Sequence, residues 1–150
     1  MTRLMSIDYG LSRVGIALTD PLQITVSGYI TLEAGDKLID RIIEIIKQKS
    51  VSAVVIGIPF DQNSLIGPQA QLVIDFAKNL KTKLDELSMN IKLFEQDERF
   101  STINAYSVLK LQKTKNKNKK SRIDQVAACA ILDEFLTSRI KKEFSLFSHQ

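Results

Sequence analysis

The chain has 150 residues, 44% hydrophobic and 25% charged, with a net charge of +4, the make-up of one globular domain with a real core. No apolar run approaches the roughly 18–20 residues of a membrane span, and the N-terminus "MTRLMSIDYG" has neither the apolar core nor the cleavage site of a secretory leader, so no membrane and a cytoplasmic location are expected. One cysteine and one histidine, Cys129 and His149, exclude an internal disulfide, a cysteine-rich zinc site and a Ser-His-Asp triad.

"LMSID" is a short buried strand, and "VGIALTD" a second, joined by a link of hairpin length with a glycine. "TVSGYITL" supplies a third strand. "GDKLIDRIIEIIKQKS" then changes to helical period, with Leu38, Ile42, Ile45 and Ile46 on one face. "VSAVVIGI", a β-branched run ending at Pro59, has the signature of a central buried strand. Pro68 opens an amphipathic helix that runs to about Leu87 through Val73, Ala77, Leu80 and Leu84. "NIKLFE" is a fifth strand, "STINAYSVLKLQK" a helix and "SRIDQVAACAILDEFLTSRIKK" a final helix. Within that helix, Cys129 in "VAACAIL" suits a small buried thiol. The order β-β-β-α-β-α-β-α-α predicts a single α/β domain with a mixed central five-stranded sheet flanked by helices.

Charge is uneven along this order. Seven basic residues and no acid lie between Lys110 and Arg122, and without them the net +4 becomes −3. A mildly acidic domain with one basic segment suggests a polyanionic partner. In an open α/β sheet functional groups collect beyond the carboxyl ends of strands, and three acids fall at element ends. Asp8 ends the first strand. Asp97 and Glu98, in "QDER", follow the fifth. Asp124 opens the last helix, after the lysine-rich loop.

Each acid also has a structural reading. Asp8 can cap the hairpin amides, Glu98 and Arg99 can form a surface ion pair, and Ser121 with Asp124 fits a capping box. Charge balance favours joining them: three carboxylates with two divalent cations leave about one positive charge facing a phosphodiester, and such a pair serves an in-line displacement without histidine. Oxygen donors suit Mg²⁺ or Mn²⁺. Gly10 allows backbone to approach a phosphate closely, and Arg13 can grip one with both arms of its guanidinium. For Gly57-Ile58-Pro59, turn chemistry is sufficient.

Four segments together, "IDYGLSRVGIALTD", "VVIGIPFDQN…G", "DERFSTINA" and "SRIDQVAACAILDEFL", resemble the YqgF/RuvX family of bacterial proteins in order and spacing, over nearly the whole chain. Members are described as RNase H-like nucleases for the 5′ end of pre-16S rRNA, with Holliday-junction resolvase as an older label. The resemblance implies an RNase H-like fold and matches Asp8, Glu98 and Asp124 to the family's acidic positions. Related resolvases carry an acid at the end of the fourth strand, where this chain has "GIPF", so the middle acid is expected from "DER". Asp61 stands where many relatives have Asn, which suggests a substrate contact.

The expectation is therefore a metal-dependent phosphodiesterase acting in 16S rRNA maturation, as a monomer or weak homodimer. Asp8, Glu98 and Asp124 are its metal ligands and catalytic acids. Gly10, Arg13, Asp61, Arg99, Lys113, Lys115, Lys117, Lys119 and Lys120 are its nucleic-acid contacts. The rivals are a junction resolvase using the same chemistry on DNA, a non-catalytic RNA-binding assembly or transcription factor, and a kinase-like domain using the "D-x-G" hairpin for nucleotide phosphates.

Overall fold

Strand β1 (Arg3–Tyr9) has side chains buried on both faces of the sheet, and the rest of the architecture follows from covering both. A computed structural model of the chain describes residues 1–63, 65–98 and 118–149, and of 118–122 the backbone alone. In chain order the elements are β1, β2 (Arg13–Thr19), β3 (Val26–Glu33), α1 (Leu38–Gln48), β4 (Val51–Ile58), α2 (Pro68–Glu86), β5 (Lys92–Asp97), α3 (Asn118–Thr137) and β6 (Lys142–Glu143). The six strands form one sheet in the order β3-β2-β1-β4-β5-β6. β1, β4 and β5 run parallel, while β2, β3 and β6 pair antiparallel with their neighbours.

One face is thick. Met5, Ile7, Val14, Ile16, Val54, Ile56 and Leu93 pack beneath α1 and α2, whose Ile42, Ile46, Ala77, Leu80 and Leu84 complete the larger core. The period-3.6 pattern read for both helices is therefore the buried stripe. The opposite face is thin. Leu4, Ala17, Ala53 and Val55 meet Ala128, Ile131, Leu132 and Phe135 of α3, with Cys129 half-buried against them. Small residues let that helix lie close to the sheet, and the buried Ser6 hydroxyl donates to the Ala128 carbonyl at 2.5 Å. A buried hydroxyl so satisfied carries no desolvation penalty.

Two readings change. A sixth strand, β6, joins the five expected; it is two residues long, pairs with β5, and is fixed by Phe144, whose N–H donates to the Leu93 carbonyl at 2.7 Å and whose ring is buried. The last helix begins at Asn118, so Ser121 and Asp124 lie within it and the capping-box reading fails. Lys119 and Lys120 accordingly stand on the first helical turn rather than in a loop. The helix expected over 101–113 lies outside the described residues.

Candidate active site

Alternation along β1 sends Leu4, Ser6 and Asp8 to the thin face, under α3. Directly across the antiparallel ladder from Asp8 is Gly15. A β-carbon at Gly15 would lie 2.0 Å from the Asp124 carbonyl oxygen, so the helix backbone rests on β2 where only a glycine leaves room. That approach brings Asp124 beside Asp8. Burial, and then the Asp124 charge, push the Asp8 carboxyl up to about 6. Asp124 also accepts a 2.8 Å charge-assisted hydrogen bond from Arg13 Nε at the base of the β1–β2 hairpin.

Glu98 comes from the other side. Its backbone N–H donates to the Ile58 carbonyl at 3.1 Å, prolonging the β4–β5 register by one residue. Its carboxylate lies over Gly57: a β-carbon there would be 2.0 Å from Oε1 of Glu98 and 2.5 Å from Cδ1 of Ile131. The side chain missing from β4 thus makes the space that Glu98 fills, beyond the turn chemistry expected of that glycine. Burial, followed by the charges of Asp8, Glu134 and Asp97, pushes the Glu98 carboxyl up to about 8.

Asp8 is the middle member of a row, repelled by Asp124 on one side and repelling Glu98 on the other. Among the described residues, no three acidic, histidine or cysteine side chains close around one point, so the row is not a cage. Its donors are all oxygen, and within it the Asp8 and Glu98 carboxyls are raised in pKa by burial first and by neighbouring charge second. Such a set fits a hard divalent cation, whose binding relieves the repulsion.

The remaining expected site residues fall as follows. Gly10 is needed by the bend itself, because a β-carbon there would lie 2.6 Å from the Arg13 carbonyl oxygen. Asp61 closes its own loop, accepting from the N–H groups of Asn63 at 2.9 Å and Leu65 at 2.7 Å. Lys119 and Lys120 are placed by backbone only, and Arg99, Lys113, Lys115 and Lys117 lie outside the described residues. Sequence reasoning did not single out Glu134. Its signal was its place on the last helix, three residues beyond Ile131, on the stretch that crosses toward β5.

Comparisons with known proteins bear on the family and the fold. The family model RuvX, described as Holliday junction resolvase, matches residues 2–138. A protein of Roseiflexus sp. (strain RS-1) named "Putative pre-16S rRNA nuclease" is 37% identical over 139 residues, covering 91% of this chain and 95% of its own. A Bacillus mycoides protein of the same name is 35% identical over 141 residues, covering 91% and 99%. Among solved structures, T. thermophilus RuvC in complex with a Holliday junction substrate superposes with a TM-score of 0.59 at 11% identity, covering 96% of this chain and all of that one. That likeness gives the RNase H-like resolvase fold. With a family model matched over nearly its whole length and two such relatives, the chain belongs to the RuvX family.

Proposed function

We propose that this chain is a divalent-cation-dependent nuclease that hydrolyses phosphodiester bonds at the 5′ end of pre-16S rRNA in the cytoplasm. The observation that carries the reading is the row Asp124–Asp8–Glu98: carboxylates packed together at the carboxyl ends of β1 and β5 against their own repulsion. The names of the RuvX relatives support the nuclease class and the rRNA substrate. Asp8, Glu98 and Asp124 would hold Mg²⁺ or Mn²⁺, two ions by the charge argument. When bound, such ions lower the pKa of water and neutralise charge developing on phosphate oxygens. Arg13, already next to Asp124, exchanges part of that contact for a phosphate oxygen and orients the strand. The lysines from Lys113 to Lys120 supply the attraction to the backbone that is independent of sequence.

The test incubates wild type, Asp8→Asn and Glu98→Gln with end-labelled pre-16S RNA and with a four-way DNA junction, with and without Mn²⁺. Cleavage of the RNA by wild type alone, and only with the cation, is expected. The second reading, a junction resolvase, is favoured by the family description. Paired symmetric nicks by a tight dimer would establish it, whereas a monomer or weak dimer is expected here. Wild-type binding without cleavage under every condition would replace both with a non-catalytic assembly factor.

A further inference from the structure

Arg13 holds a carboxylate that the nuclease reading gives to a cation. Its Nε donates to Asp124 Oδ2 at 2.8 Å, and no second hydrogen bond from this side chain is found among the described residues. Across the β2–β3 ladder Arg13 faces Glu33, an exposed acid, yet its guanidinium reaches over to α3. The pair is thus drawn to the carboxylate row although the ladder offers another acid.

The two partners differ in freedom. Asp124 is fixed, since its carbonyl lies where a β-carbon of Gly15 would be, and its side chain is only 19% exposed. The backbone of Arg13 is fixed too, because its carbonyl closes on Gly10 at the hairpin bend. The Arg13 side chain is 44% exposed and swings without moving either element. Competition for Asp124 is therefore resolved by Arg13 leaving. Magnitudes point the same way. An ion pair this exposed favours its closed form by no more than about fivefold. A divalent cation carries twice the charge, takes carboxylate oxygen directly into its coordination shell, and can draw on Asp8 beside Asp124. Once displaced, the guanidinium presents five N–H donors in the fork geometry that grips a phosphate with two parallel hydrogen bonds.

We propose that Arg13 is a placeholder for the cation: it occupies Asp124 until a cation binds, and only then turns to a phosphate of the RNA strand. The consequence is coupling. A cation must displace Arg13 and a strand must find it displaced, so each ligand raises the affinity for the other. The proposal rests on the nuclease reading for the identity of both ligands, and adds the order in which Arg13 serves them. Its rival is a fixed tether from β2 to α3, in which the Asp124 contact persists whatever is bound.

The test follows the Arg13 Nε–H by NMR in the full chain, its signal assigned by its loss in Arg13→Met. Without divalent cations this proton should exchange slowly with water, as a donor engaged by Asp124. Titration with Mg²⁺ should shift the backbone amides of Asp8, Gly15 and Asp124 and, over the same concentrations, speed exchange of the Nε–H. A short single-stranded RNA added to the Mg²⁺-loaded chain should slow it again, and no step of the measurement needs cleavage. In a separate titration with Mn²⁺, read by electron paramagnetic resonance, Arg13→Met should bind the cation up to about fivefold more tightly than wild type, the strength of the lost pair. Amide shifts with the Nε–H still protected show a fixed tether and overturn the proposal. Exchange that stays fast with RNA present, or unchanged or weaker Mn²⁺ binding by Arg13→Met, overturns it as well. Each of these outcomes leaves the nuclease reading standing. Absence of any amide shift with Mg²⁺ removes the cation site itself, and both readings with it.

Discussion

Alanine at position 57 must put a methyl group where the Glu98 carboxylate and the tip of Ile131 now sit. Glu98 then leaves its place beside Asp8, and Gly57→Ala should abolish cation-dependent stabilisation at a folding cost of about 1–3 kcal/mol, typical of an added methyl in packed surroundings. Gly15→Ala meets backbone at the Asp124 carbonyl rather than a movable side chain, so its cost should reach or exceed the top of that range. Urea denaturation of both variants checks the ranking; equal and small costs would contradict the close approach of α3. The carboxyls themselves give a pH dependence. Asp8 is raised from its ordinary 3.8 to about 6, and Glu98 from 4.5 to about 8. Each therefore favours the folded state when protonated, a contribution complete below its ordinary value and lost as pH rises through the folded one. In the absence of divalent cations, the melting temperature of wild type should fall between about pH 4 and pH 8 relative to Asp8→Asn and Glu98→Gln. Mn²⁺ at the upper end should restore it by mass action. Wild-type and variant melting curves that stay parallel across this range would remove the repulsion argument.

Helix α3 is the element that assembles the site, since its Asp124 reaches β1, its Ile131 covers β4 and its Phe135 packs on Phe94 of β5. Elements with a strong period were legible in the sequence. β4 was read as Val51–Ile58 and has those bounds, and α2 opens at Pro68 as expected. The start of α3 was not, because "SRID" imitates a cap while "NKK" before it carries no apolar signal. β6 was missed for a related reason: two residues cannot show alternation, and their pairing depends on Phe144 finding the core. The acids at strand ends were legible as candidates, but the role of Gly57 was not. An absent side chain acquires meaning only once the group above it is known. Element ends also offer a stability test. Ser88 follows α2 with φ 56°, a left-handed conformation that disfavours a side chain. Ser88→Gly should stabilise the protein by about 0.5–1 kcal/mol, the scale of that backbone penalty less the added freedom of the unfolded chain. Thermal denaturation measures it, and a lower melting temperature would refute it.

For the molecule as a whole, the proposed function assigns attraction to the basic segment and chemistry to the acidic remainder. Replacing Lys113, Lys115, Lys117 and Lys119 by Gln should reduce the slope of log affinity against log salt by about 2–3, as expected for four lost contacts to a single strand. An unchanged slope would show that these lysines do not face the backbone. The sheet order β1-β4-β5 has a different consequence. Because β4 lies between the two acid-bearing strands, the carboxylate that Glu98 lends to the space above Gly57 is portable: its address in the sequence and its address in space are separable. Glu98→Ala should lose the Mn²⁺-induced rise in melting temperature, and adding Gly57→Asp to that variant should recover part of it. The obstacle left in the double variant is the flexible tip of Ile131, since the carboxylate oxygen 2.0 Å from the new β-carbon is gone. Recovery would mean that this fold sets the position of a charge while leaving open which strand delivers it.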